Sequence, residues 1–328
     1  MRPLPCDLCG ATTFARFWRG RDRDKLLTYL ICTGCSMASM NPRPSAEELA
    51  SFYRSDYRRE RGIGDPWRTD SVSRHLISER QRAIQVIHLL QPYLSRGLSV
   101  LEIGCGTGFL LASLRDQYDA VVEGIEPDEH YAAYARDQRN VNVVASTVEN
   151  FIPQKQYDLI VMVEVLEHLS SARRALLTMR GFLRTGGLLY VQVPDPYTHR
   201  TVALAHTHVF IEETLANMLI ACGFSPVRVN THKDAASSMP PYLLSGLARA
   251  GGQASPVAAP SYRRVLLKRR LTRAPVASLE ALYAVRGRIL MILRALLGRR
   301  VYEMLRKLYW GRLPSSEAPN TSPRPRDR

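Results

Sequence analysis

The chain has 328 residues, a formal net charge of +15, and a composition that is 45% hydrophobic and 23% charged. That length holds one α/β domain of ordinary size with appendages. No uncharged apolar run of about 18 residues occurs, which argues against a membrane-spanning helix, and the opening M-R-P-L-P-C-D lacks the apolar centre of a secretory signal. The charge is uneven: residues 261–328 carry 17 Lys/Arg against 4 Asp/Glu, whereas residues 1–260 carry 28 against 26. The basic character therefore belongs to the tail. Four of the six cysteines form two C-x-x-C pairs, which suits a reducing compartment and metal rather than disulfides; a cytoplasmic protein is expected.

Taken in order, Cys6-x-x-Cys9 and Cys32-x-x-Cys35 are separated by 22 residues. Two such knuckles close a tetrahedral thiolate site, and the strand-like F-A-R-F-W and L-L-T-Y-L-I between them predict a hairpin. A structural zinc ribbon over residues 1–45 is expected, against the alternative of four unrelated thiols. With four cysteine ligands no coordination position is left for catalysis. Asn41-Pro-Arg-Pro44 stops the ribbon, and Ser45 with Glu48 makes a capping box for a helix through Tyr53. Tyr53 and Tyr57 are either packing residues or part of an acceptor pocket. Residues 46–95 read as a helical connector. Its middle, 58–74, is polar, and a helix follows from about Ser78 to Leu94, with Ile84, Ile87, His88, Leu90 and Leu94 near one face.

Val100 to Gly108, V-L-E-I-G-C-G-T-G, reads as a buried strand entering a glycine-rich turn, with a helix opening at Phe109. A dinucleotide fingerprint is G-x-G-x-x-G, and here the third glycine falls one residue early, which disfavours a dehydrogenase. Regular α/β alternation follows: strand Val121–Ile125, helix Glu129–Gln138, strand Val141–Ala145, strand Tyr157–Val163, strand Gly186–Pro194, helix Glu212–Cys222 and strand Pro226–Asn230. Glu126, at the end of the second of these strands, is placed to accept both ribose hydroxyl protons. Asp128 fits a helix cap better. No convincing β-run is visible after residue 232. Residues 236–260 read as a linker, 261–313 as basic amphipathic helices, and 314–328 as disordered.

With Glu102 inside the strand, V-L-E-I-G-C-G-T-G closely resembles the first motif of class I S-adenosylmethionine (SAM) methyltransferases. Y-D-L-I-V-M-V-E-V-L-E-H-L and L-R-T-G-G-L-L-Y-V-Q-V-P extend the resemblance over roughly Leu98 to Asn230. It implies an α/β, Rossmann-like sheet over 96–235, flanked by the zinc ribbon and a helical C-terminal extension. It also implies SAM held by Glu102, Gly104, Cys105, Gly106, Gly108, Glu126, Pro127, Ser146, Thr147 and Glu164. The family often has an acid where Ser146 stands, so the adenine contact falls to serine or backbone. The stretch C-x-x-C-S-M-A-S-M-N-P-R-P-S-A-E-E-L-A-S-F-Y-R-S-D-Y resembles the leader of a bacterial methyltransferase group associated with sugar or surface-glycan biosynthesis. That leader implies O-methylation of a sugar, a glycan precursor or a lipid-linked metabolite.

Methyl transfer needs alignment of donor and acceptor and, for a hydroxyl, removal of a proton. His168 is the leading base candidate, with Glu164 beside it; His208, in H-T-H-V-F with His206, is a further candidate past the fifth strand. E-x-x-E-H also resembles quinone-pathway and small-RNA O-methyltransferases that hold a divalent metal there, so Mg²⁺ or Mn²⁺ is an alternative. An RNA methyltransferase and a non-catalytic SAM-binding scaffold are the rival readings. In the tail, Val301, Met304, Leu305 and Leu308 oppose Arg299, Arg300, Arg306 and Lys307 at helical spacing. That face either packs on protein or brings the chain peripherally to an anionic membrane surface, with nucleic acid less favoured.

Overall fold

The structure, a computed structural model, describes residues 4–22, 25–55, 70–198, 206–233 and 242–272. The chain divides into a unit Met1–Arg273 and a unit Ala274–Arg328. The second unit, which holds the expected tail helices from residue 274 onward and the expected disorder after 314, lies outside the described residues. So do Tyr57, the Tyr53 side chain and most of the expected connection.

Seven strands make the main sheet: β4 (Ser99–Ile103), β5 (Val121–Ile125), β6 (Asn142–Val144), β7 (Tyr157–Val163), β8 (Leu183–Pro194), β10 (Phe224–Lys233) and β11 (Tyr242–Ala250). Their order is β10-β11-β8-β7-β4-β5-β6. From β8 to β6 the pairing is parallel, and β11 runs antiparallel to both β8 and β10. Parallel strands covered on both faces read as continuous apolar runs, and all five residues of β4 are buried.

The period of two assigns each face. Val100, Leu159, Val161 and Tyr190 pack with Ala83, Val86, Ile87 and Leu90 of α2 (Asp70–Leu90) and with Leu110 and Leu114 of α3 (Phe109–Tyr118). Leu101, Ile160, Met162, Leu189 and Val191 turn the other way, onto Leu176 and Met179 of α5 (Ala172–Phe182) and Leu215 and Leu219 of α6 (Glu212–Ala221). Each such aliphatic contributes about 1.5–3 kcal/mol by leaving water.

Two expectations are corrected here and a third is met. The missing antiparallel strand is β11, inside the supposed linker. Y-L-L-S-G-L-A-R-A lacks β-branched residues and reads as neutral or helix-forming. Burial between β8 and β10 overrides that propensity, with Leu243, Leu244 and Ala248 fully covered. The helix before β4 begins at Asp70, earlier than expected. Its buried face is Ala83, Val86, Ile87 and Leu90, while Ile84 is 57% exposed. The capping box is present as expected, with Ser45 N–H donating to Glu48 Oε2 (2.7 Å) and Glu48 N–H donating to Ser45 Oγ (3.2 Å) at α1 (Ala46–Ser55).

The second sheet has the order β1-β2-β3-β9, from β1 (Phe14–Asp22), β2 (Lys25–Cys32), β3 (Ala38–Met40) and β9 (His208–Val209). Its last strand comes from beyond the main sheet's β8, so the N-terminal hairpin is sewn to the α/β body. Val209 and Ile211 fill the same core as Phe17, Leu27, Tyr29 and Ile31, and Val265 of α7 (residues 262–272) completes it.

Candidate cofactor-binding and active site

The turn after β4 is built on three left-handed glycines, Gly104 (φ +70°), Gly106 (φ +52°) and Gly108 (φ +73°). A Cβ on Gly104 would meet Val165 Cγ2 at 2.5 Å, and one on Gly106 would meet Glu79 Oε1 at 2.6 Å. Both glycines line a cavity of about 230 Å³ at the carboxyl ends of the parallel strands. Gly108 does something else. Its Cβ would meet Ala135 and Val141 at 2.9 Å, so it lets α3 pack on α4 (Glu129–Arg139) and the residues entering β6. It does not line the cavity as expected. Gly108→Ala is expected to lower stability by about 2–4 kcal/mol through left-handed strain and overpacking, read as a fall in the unfolding midpoint. Cys105 is likewise turned away, buried with Leu111, Ala132 and Ala135, and reaches only a smaller adjoining cavity of about 110 Å³.

Glu126, Pro127 and Asp128 leave β5 along the cavity wall. The Glu126 carboxylate accepts from Gly106 N–H at Oε2 and from Asp128 N–H at Oε1, both 3.0 Å. Burial raises its pKa to about 7 against those two hydrogen bonds. Asp128 caps α4, its Oδ1 accepting from His130 N–H at 2.9 Å. Ser146 and Thr147 face the same space, and the Ser146 hydroxyl donates to Thr147 O. Glu102 is buried at the floor of the smaller cavity, and burial drives its carboxyl well above the ordinary range, with Glu79 and Glu126 adding to the effect.

At the other wall β7 is followed by Glu164, a non-glycine residue at φ +54° whose carboxylate lies 3.4 Å from Arg82 Nη1. Such strain is retained where surroundings fix it, commonly at functional sites. The next turn, Leu166–His168, puts His168 on the cavity. Glu167 Oε1 lies 3.6 Å from His168 Nε2, and the His168 and His206 rings stand edge to face at 4.7 Å. His208 is the expectation the geometry overturns. Its ring is fully buried against the N-terminal knuckle, with Nε2 3.0 Å from Arg43 Nη1 and 3.3 Å from Asp7 Oδ2, and Nδ1 2.8 Å from Thr207 Oγ1. Pairing of β9 with β3 aims it there and away from the cavity.

Among the cavity residues that went unforeseen are Glu79 and Arg82 of α2. Glu79 accepts from the Thr107 hydroxyl and roofs Gly106. Their three-residue spacing places them on one helix face, next to the buried Ala83 and Val86. Glu79, Glu126, Asp128, Glu149 and Glu164 against one arginine make the cavity acidic.

Four of the turn's backbone donors are already used. Gly104 and Cys105 N–H donate to Ile125 O, Gly106 N–H to Glu126, and Gly108 N–H to Cys105 O. A pyrophosphate would need such donors, whereas a buried carboxylate at the end of β5 in an acidic cavity suits a ligand of positive charge. Residues 74–229 match the family described as the methyltransferase domain. This stretch, a little under half of the chain, is similar to a methyltransferase domain. (S)-Tetrahydroprotoberberine N-methyltransferase of Eschscholzia californica is 28% identical over 132 residues, 38% of this chain and 37% of that protein. Ubiquinone biosynthesis O-methyltransferase of Bradyrhizobium diazoefficiens is 32% identical over 100 residues, 29% of this chain and 39% of that protein. The chain thus spans about two-fifths of the length of these curated relatives. The crystal structure of Burkholderia thailandensis 1,6-didemethyltoxoflavin-N1-methyltransferase, with 1,6-didemethyltoxoflavin and S-adenosylhomocysteine bound, matches with a TM-score of 0.50. That match has 20% identity and covers 71% of this chain and 99% of that one. At that identity it shows a shared fold.

The four N-terminal cysteines also converge, outside residues 74–229. Cys6 and Cys35 sulfurs are 3.5 Å apart, Cys9 and Cys32 sulfurs 3.6 Å, and all four lie within 4.8 Å of one another. Tetrahedral zinc with Zn–S near 2.3 Å requires sulfurs about 3.8 Å apart, so the donor set fits. Among the described residues no helix is long and apolar enough to cross a membrane.

Proposed function

We propose that the chain is a cytoplasmic enzyme transferring a methyl group from SAM to a hydroxyl of a sugar, glycan precursor or lipid-linked metabolite. The observation that carries the reading is Glu126, a buried carboxylate oriented by Gly106 and Asp128 N–H groups toward an acidic cavity. SAM supplies a methyl group on a positively charged sulfur. Glu126 holds the ribose hydroxyls, and Ser146 and Thr147 face the adenine side. Arg82 is positioned for the amino-acid carboxylate, while Glu79 supplies negative charge for its ammonium and sulfonium. His168 takes the acceptor proton as the acceptor oxygen bonds to the methyl carbon and the carbon–sulfur electron pair returns to sulfur. The acceptor class rests on the resemblance of the N-terminal leader, and a structural zinc on the four cysteines completes that leader.

A second reading is favoured by the convergence of Glu167, His168 and His206, whose ligand atoms lie within 4.8 Å of one another. Two imidazoles and one carboxylate suit Mn²⁺ or another transition metal better than Mg²⁺, which prefers oxygen ligands. Glu164, which sequence spacing had placed in that set, pairs with Arg82 instead.

Incubation with radiolabelled SAM and fractionated lipid, glycan and RNA pools tests the proposal. Label is expected in the glycan or lipid-linked pool and not in RNA. Label confined to RNA would replace the acceptor class, and label in no pool would favour a SAM-binding scaffold. Loss of transfer on adding chelator, restored by Mn²⁺, would promote the metal reading.

A further inference from the structure

The hairpin β1–β2 has two unlike faces. Leu27, Tyr29 and Ile31 point into the core shared with β9 and α7, and Gly20, Trp18 and Ala15 stand opposite them on that side. The alternate pairs, Arg16 with Leu30, Arg19 with Thr28 and Arg21 with Leu26, point the other way. All three arginines are exposed, and Leu26 near the tip is 55% exposed. One strand thus carries a row of guanidinium groups, and its partner carries leucines directly across.

We propose that this outer face docks the chain on an anionic lipid bilayer. Guanidinium groups pair with lipid phosphates at the headgroup level, and Leu26 and Leu30 reach the acyl boundary beneath them. A nucleic acid is the other polyanion such arginines could meet. The hairpin's aromatics, however, are committed inward. Phe17 and Tyr29 are buried, and Trp18 stands edge-on to Tyr29 at 6.2 Å, so this face offers bases no stacking platform. The surface goes beyond methyl transfer. It names where a membrane-held acceptor would be met, and its test does not depend on turnover.

The experiment is co-sedimentation of the full-length protein with equimolar phosphatidylcholine–phosphatidylserine vesicles, and with phosphatidylcholine alone, at low salt. Wild type is expected to bind the anionic vesicles only. The triple variant Arg16→Gln, Arg19→Gln, Arg21→Gln should partition about 100-fold more weakly. A triple lysine variant should retain most binding, and Leu26→Ser should weaken it about tenfold. Unchanged unfolding midpoints would verify that each variant folds. If the glutamine variant sediments like wild type, the basic residues after Ser261 carry the binding and the hairpin assignment is wrong. If it loses affinity for polyuridylate but not for vesicles, the surface reads nucleic acid and the proposal fails.

Discussion

Replacing His168 by glutamine is expected to lower kcat by about 10²–10⁴, the usual contribution of a positioned general base, while SAM affinity stays close to wild type. The separation follows from the cavity's two walls. Glu126, Ser146 and Thr147 sit on the wall formed after β5 and β6, and His168 lies on the wall formed after β7. Glutamine keeps the size and polarity of the side chain but cannot accept the proton. Single-turnover kinetics with SAM pre-bound reads the chemical step alone. A variant that retains wild-type turnover removes His168 as base. A loss matched by an equal loss in SAM binding would make it a cofactor contact.

The other large effect is expected at the cysteines. Wild-type protein purified without chelator should carry one zinc on Cys6, Cys9, Cys32 and Cys35, and Cys32→Ser should carry none. Structural zinc sites contribute apparent binding free energies of about 10–16 kcal/mol in small peptides, so residues 1–45 should loosen. The loosening should also spread along a defined route. Asp7, between two of the ligands, accepts from Ser171 Oγ (2.8 Å) and Arg173 N–H (3.1 Å) at the start of α5, and Arg173 Nη1 donates to Leu8 O. Burial would raise the Asp7 carboxyl, yet His208 and those donors hold it well below the ordinary carboxylate range. Thr207, beside His208, bonds to Glu167 O and Leu169 O in the turn that carries His168. Hydrogen exchange should therefore rise at β9 and the first turn of α5 as well as in the hairpin, with the central parallel strands unchanged. Elemental analysis finding no zinc in wild type would contradict the assignment.

The parts legible in the sequence are those whose signal is local. Left-handed glycines, an acid at the end of an apolar strand and the serine–glutamate box each depend on neighbours a few residues away. The strand Tyr242–Ala250 depends on two partners, β8 and β10, and its own leucines and alanines argue for a helix. His208 looked like a residue of the mouth because it follows the fifth strand. A two-residue pairing with β3 decides otherwise, and two residues leave no periodicity to read. Glu79 and Arg82 precede the glycine turn by more than 20 residues. Only the packing of α2 across the sheet brings them over Gly106 and Glu164. The expected stripe on that helix was displaced by about one position, which is enough to exchange Ile84 for Ala83 as a buried residue.

Calorimetric titration of the wild-type protein with SAM, with NAD as the control ligand, and of Glu126→Ala tests the cofactor assignment most directly. On the proposed assignment the ribose hydroxyls would select the ionised carboxylate, so binding would lower a pKa that burial raises to about 7. Wild-type SAM affinity should therefore rise with pH toward about 7 and level off above it. Glu126→Ala should bind roughly 10- to 150-fold more weakly and lose that pH dependence. Unchanged SAM affinity in Glu126→Ala, or a wild-type preference for NAD, would contradict a SAM site built on Glu126.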